Sequence, residues 1–162
     1  MQSGVRAASL QPGLSQANSL QPFLEYLQLG RKTAYFCDQQ RGSTRFCSPE
    51  FIEPESRKEF LKMAEARWFE DYPREQLIIA VAEAYGTLNV AHPFREGNGR
   101  TQRILFEWVI VNAGFSITWD SVESEEWITA NIYSYLGDDE YLVNIFGRCI
   151  GQPIQEDDMS SL

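Results

Sequence analysis

Apolar residues recur at helical spacing along most of this chain, and proline, glycine and aspartate interrupt them. Gln21 to Leu29 forms a short apolar helix candidate. Lys32 to Phe36 and Thr44 to Cys47 read as short strands. Between them Asp38-Gln39-Gln40-Arg41-Gly42-Ser43 supplies turn chemistry, so a hairpin is the economical reading. Pro54 to Trp68 carries Phe60, Leu61, Ala64 and Trp68 at helical spacing, with a start at Glu53-Pro54 because proline suits a first turn. The next helix opens at Asp71-Tyr72-Pro73 and lines Leu77, Val81, Ala84, Tyr85 and Leu88 along one face. It should stop near Ala91, since His92 precedes Pro93 and a residue before proline is pushed out of the helical region.

A further helix restarts at the glycine pair Gly97 and Gly99. Ile104, Leu105, Trp108, Val109 and Val111 make it apolar nearly all round, which predicts a buried central helix ending at Asn112-Ala113-Gly114 with Gly114 in the left-handed cap position. Ser121 or Ser124 caps a helix holding Trp127, Ala130, Asn131 and Tyr135 that stops at Gly137. Asp138 caps a last helix through Leu142, Ile145, Phe146 and Cys149. The expected fold class is all-α with one small β-hairpin. Residues 1–22 form a flexible N-terminal segment, residues 23–150 the domain and residues 151–162 an acidic C-terminal tail.

Length and charge narrow the partners. A chain of 162 residues is one domain by length, able to bury roughly 70% of its unfolded surface. Its 14 basic and 23 acidic residues leave a net charge of −9, which disfavours a nucleic-acid partner. The positive charge of Arg95, Arg100 and Arg103 is therefore local. Cys37, Cys47 and Cys149 contain no CxxC pair, so reduced thiols in a reducing, cytoplasmic compartment are expected. No apolar run has membrane-spanning length, and no membrane partner is expected. The Ser/Gln-rich head lacks the apolar block of a secretory signal, while an address for a specialised export machine stays open.

His92 to Arg103, HPFREGNGRTQR, carries the chemistry. It sits between two helices at the N-terminus of the second, where the first amides lack intrahelical partners and the dipole is positive. Gly97 and Gly99 let phosphate oxygens approach the backbone, and Asn98 suits a helix cap and a phosphate donor. Glu96 offers a hard oxygen to magnesium, which commonly takes one or two protein carboxylates beside substrate phosphates. His92, with an ordinary pKa of ~6.5, can accept a proton from an incoming hydroxyl near neutral pH. Arg100 and Arg103 are three apart and can grip phosphate oxygens bidentately. Each of these has a plainer reading: an ordinary turn, a dipole-favoured glutamate, a packed histidine, surface arginines. Their joint occurrence favours the chemical one.

The same twelve residues resemble the Fic family motif, H-x-F-x-(D/E)-G-N-G-R-x-x-R, without mismatch, and a weaker resemblance runs over about Gly30 to Ile150. Fic domains are helical, and most characterised members transfer AMP from ATP to a Ser, Thr or Tyr hydroxyl of another protein, releasing pyrophosphate. The resemblance makes His92 the general base, Glu96 the Mg2+ ligand, Gly97, Asn98 and Gly99 the phosphate nest, and Arg100 and Arg103 the holders of the β- and γ-phosphates of ATP. It makes the Lys32–Cys47 hairpin the flap that pairs with a protein substrate, with Ser43, Thr44 and Phe46 as contacts. Trp127, Asn131 and Tyr135 either line an adenine pocket or pack the core, with the core favoured.

A lysine at the second motif glycine marks the Doc-like kinase branch, and an alanine at the first marks the phosphocholine-transferring one. Gly97 and Gly99 favour AMP transfer. The family's Trp-Ala-Gly-like element corresponds here to Leu27 to Arg31, and the inhibitory pattern (S/T)-x-x-x-E-(G/N) is broken at Glu126 after Ser121 to Glu125. A toxin-like or effector protein is implied. It is either exported into a host cell without a brake or held by a small antitoxin-like partner presenting a glutamate to Arg103. The alternatives are a catalytically weak Fic-fold interaction module and a member that transfers a different phosphate-containing group.

Overall fold

A computed structural model describes residues 40–41, 44–45, 47–92 and 97–154. The helix candidate at Gln21 to Leu29, the strand at Lys32 to Phe36, Cys37 and residues 155–162 lie outside the described residues. Helices dominate, as the apolar spacing predicts. In chain order the elements are β1 (Gln40–Arg41), β2 (Thr44–Arg45), α1 (Pro49–Glu65), α2 (Arg74–Ala91), α3 (Asn98–Asn112), β3 (Phe115–Ile117), α4 (Ser124–Tyr135), α5 (Glu140–Cys149) and β4 (Ile150–Pro153).

The described part of the hairpin reaches into the expected turn: Gln40 faces Arg45 and Arg41 faces Thr44, antiparallel. Gly42 and Ser43, which follow Arg41 in sequence, lie outside the described residues. The base of the hairpin is fixed where the Cys47 N–H donates to the Val90 carbonyl, 3.0 Å away, near the end of α2.

α1 begins at Pro49 and carries Pro54 inside it, so the Glu53-Pro54 start is wrong. The extended Ser48 leads into Pro49, whose fixed φ and missing N–H suit the first turn, with Glu50 beside it facing the dipole. The helix also stops short of Trp68. Arg67, Trp68 and Phe69 take φ values of 52°, 55° and 67°, and this left-handed turn costs about 1–2 kcal/mol per residue. The reversal drives Trp68 and Phe69 into the core, which offsets that cost. Leu61, one of the expected helix-face residues, is 50% exposed.

α2 buries Leu77, Val81, Ala84, Tyr85 and Leu88 as predicted and ends at Ala91. The Arg74 guanidinium at its start donates to the carbonyls of Gly147, Ile150 and Gly151, which ties α2 to the end of α5. α3 departs from expectation. It buries Gln102, Leu105, Phe106, Val109 and Ile110, whereas Ile104 is 67% and Val111 40% exposed. It is a one-faced helix with two apolar residues in solvent, not one buried all round.

α5 buries Leu142, Ile145, Phe146 and Cys149 as its spacing requires. Asp139, not the expected Asp138, holds the cap position of α5, without a side-chain cap bond, while the Asp138 carboxylate one residue earlier accepts from the Glu140 N–H at 3.0 Å. Neither Ser121 nor Ser124 caps α4, where Glu123 holds the cap position without a side-chain bond. β3 and β4 pair antiparallel, Phe115 with Pro153 and Ile117 with Ile150, so Gly151 to Pro153 belong to a strand instead of the tail. Gly114 takes φ 91° at the end of α3, as its cap assignment predicts. At the centre, Tyr85, Phe106, Trp119, Trp127 and Phe146 form one aromatic cluster between α2, α3, α4 and α5.

Candidate functional site

The site lies where α2 hands over to α3. His92 closes α2 in the left-handed region at φ 44°, with its N–H on the Leu88 carbonyl at 3.4 Å. Its ring Nδ1 lies 3.3 Å from the Asn89 carbonyl. A carbonyl can only accept, so Nδ1 carries the proton and Nε2 is the basic nitrogen. The local fold thus selects the tautomer a general base needs. Glu96 lies outside the described residues, with Pro93, Phe94 and Arg95.

Gly97 takes φ 86°, a backbone state costly for any residue with a Cβ. That conformation makes Gly97 the N-cap and displaces Asn98 from the expected cap role to the first helical residue, where it is buried. The first intrahelical bond is Thr101 N–H to Gly97 carbonyl at 3.0 Å, so the amides of Asn98, Gly99 and Arg100 have no acceptor within the helix. Gly97, at the cap position, has no side chain to offer them. A Cβ at Gly99 would meet nothing within 4 Å, which leaves open space against the helix start. The Arg100 guanidinium folds back over Gly97, 3.6 Å from where a Cβ there would stand. Amides without an intrahelical acceptor, a positive dipole end, open space and one guanidinium make a cradle for a polyanion.

Arg103 sits differently. Its Cζ lies 5.5 Å from the Trp119 ring centroid and 5.2 Å from that of Trp127. The partners of this half-buried cation are aromatic. Trp127 belongs to the core at 8% exposure, as the plainer reading of that residue holds. The Asn131 amide donates to the Trp127 carbonyl at 2.7 Å, within the helix. Burial pushes the Tyr85 phenol above its ordinary range, while Arg103 and a hydrogen bond from Trp127 pull it down. Among the described residues no glutamate pairs with Arg103. Glu126, at the broken inhibitory pattern, pairs with Arg148 at 2.5 Å.

Flap contacts are only partly visible. Thr44 lies in β2, and Ser43 and Phe46 lie outside the described residues. The Cys47–Val90 bond sets the hairpin's base two residues before His92. Cys47 and Cys149 are free thiols, and burial with Glu55 and Glu50 nearby pushes the Cys47 thiol up, away from nucleophilic use. Trp119 and Glu107 were not singled out by sequence, because neither lies in the motif.

The sequence model of the Fic/DOC family matches residues 16–110. A Salmonella typhimurium protein named "Probable protein adenylyltransferase Fic" is 34% identical over 115 residues, which cover 71% of this chain and 58% of that protein. The Bartonella schoenbuchensis protein adenylyltransferase VbhT is 44% identical over 63 residues, 39% of this chain and 13% of its own length. Among solved structures, the N-terminal Fic domain of a VirB-translocated Bep effector from Bartonella quintana, with bound ADP, superposes with a TM-score of 0.69 at 25% identity, covering 75% of this chain and 57% of that one. The chain therefore spans a little over half of the Salmonella relative it matches, at 58%.

Proposed function

The chain belongs to the Fic/DOC family, and we propose that it is a protein adenylyltransferase that moves AMP from ATP to a Ser, Thr or Tyr hydroxyl of another protein. Nε2 of His92 takes the hydroxyl proton, the hydroxyl oxygen bonds to the α-phosphorus, and the bond from that phosphorus to the bridging oxygen breaks. Pyrophosphate leaves with the electron pair, and the charge it gains falls to the α3 amides, Arg100 and Arg103.

The open space at Gly99 and the helix-start amides, which have no acceptor within the helix, fit a phosphate chain. Glu96, adjacent to Gly97 in sequence, would hold Mg2+, which supplies Lewis-acid neutralisation of the phosphates when bound. The target segment pairs with the flap hairpin, whose base lies two residues before His92. Restraint comes in trans, from a small partner presenting a glutamate to Arg103. Delivery into another cell rests on the likeness to the translocated Bartonella quintana effector.

The observation that carries the reading is the His92 ring, whose Nδ1 lies 3.3 Å from the Asn89 carbonyl so that Nε2 is the basic nitrogen, in the segment that leads into a helix opening on a left-handed glycine. With cell lysate and magnesium, ATP labelled at the α-phosphate should mark protein bands, and ATP labelled at the γ-phosphate should not. His92→Ala should abolish the labelling while the far-ultraviolet spectrum stays native. Transfer of γ-label would assign a kinase instead.

A further inference from the structure

We propose that Trp119 and Trp127 form a cation–π corner that positions the Arg103 guanidinium for the terminal phosphates of the nucleotide, making both indoles positioning residues of this site. The inference rests on the nucleotide reading above and adds the device that keeps Arg103 usable. Both ring centroids lie within the ~6 Å at which a guanidinium is attracted to an indole face. The two rings stand 78° apart with centroids 5.5 Å from each other, so the cation sits in a corner with two walls.

Each wall is fastened by its own N–H to a helix flanking the motif. Trp119 donates to Glu107 Oε1 on α3 at 2.5 Å, and Trp127 bonds the Tyr85 phenol on α2. Phe146 backs both indoles, at 5.7 and 6.1 Å.

The choice of partner carries the argument. A half-buried arginine needs something to offset its lost hydration, and a carboxylate is the usual answer. A carboxylate would also neutralise the charge and occupy the N–H fork that a phosphate must use. An indole face attracts the cation without cancelling its charge. With the two rings 78° apart the planar guanidinium can lie flat against only one of them, so some of its five N–H donors face the other ring and the rest point away. The corner therefore fixes Arg103 without a counter-charge and leaves part of its N–H fork for an external anion. Glu126, the acidic residue of the broken inhibitory pattern, is engaged by Arg148.

The test compares ATP with AMP by calorimetry in the presence of magnesium, because only ATP carries the phosphates Arg103 would hold. Arg103→Ala should weaken ATP and leave AMP binding unchanged. Trp119→Leu should weaken ATP by roughly 3- to 30-fold, the span of a cation–π contact from exposed to desolvated, again without effect on AMP. Trp119→Phe should recover part of the loss. Glu107→Gln, which loosens the Trp119 anchor and removes no ring, should give a smaller loss of the same kind. In an Arg103→Ala background Trp119→Leu should add nothing.

Equal losses for ATP and AMP, or a Trp119→Leu effect that persists without Arg103, would overturn the corner and reduce Trp119 to packing. Two further results separate the readings. If Arg103→Ala discriminates against ATP and Trp119→Leu does not, the corner alone fails. If the unmodified chain binds no ATP, the nucleotide reading fails and takes the corner with it.

Discussion

Two kinds of helix start coexist in this molecule. α1, α2, α4 and α5 each place an acidic side chain in the first turn, Glu50, Glu75, Glu125 with Glu126, and Glu140. Negative charge there offsets the positive end of the helix dipole, for about 0.3–1 kcal/mol each. α3 places none: it opens with a left-handed glycine, a buried Asn98, Gly99 and then Arg100, a cation at the end where a cation is disfavoured. The first group is arranged for the fold. α3 has no acidic residue in its first turn, which suits a start that must receive an external anion.

Substitutions along α3 should separate the two demands. The largest effect belongs to its buried face. Phe106 is fully buried, so Phe106→Ala should cost about 3–5 kcal/mol. In thermal denaturation the midpoint should fall by on the order of 10 °C. A fall of only a degree or two would place the core elsewhere.

At the open end the two glycines should behave oppositely. Gly97→Ala forces a Cβ into φ 86° and should cost about 1–2 kcal/mol in denaturant titration, together with ATP binding. Gly99→Ala has room for its methyl and a helical backbone, so it should raise stability by about 0.5 kcal/mol while weakening ATP, since the methyl occupies the cradle. Loss of stability in both variants would erase the contrast.

The smallest effect lies far from the site. Glu59 on α1 is 6% exposed, and burial raises its carboxyl above the ordinary 4.5 despite Lys62, 3.6 Å away. The folded state then holds the proton more tightly than the unfolded chain, so stability should fall as pH rises from 4.5 through the raised value. Glu59→Gln should flatten that slope and leave ATP binding alone, as measured by denaturation at a series of pH values.

Legibility in the sequence followed the range of the interactions. The buried faces of α2 and α5 were read correctly, because their apolar residues repeat within one element. The start of α1 was misplaced because two prolines, Pro49 and Pro54, both suit a first turn and only packing chooses between them. β3 and β4 escaped notice: they are three and four residues long and their partners lie far apart in the chain. α3 read as buried all round because Ile104 and Val111 are apolar, yet no element covers them among the described residues.

The sequence by itself determined the chemistry of His92 to Arg103. A base, a carboxylate, glycines and arginines at fixed spacing around a helix start are local quantities, set by covalent order. It likewise determined the helical class, through spacing inside each element. The turn that closes α2 set which nitrogen of His92 is basic, since it brings the Asn89 carbonyl, three residues back, to Nδ1. The tertiary structure decided what holds Arg103, since Trp119 and Trp127 come from a loop and a helix beyond α3. Such contacts depend on how helices cross, and crossing depends on the whole core, so no window of sequence contains them.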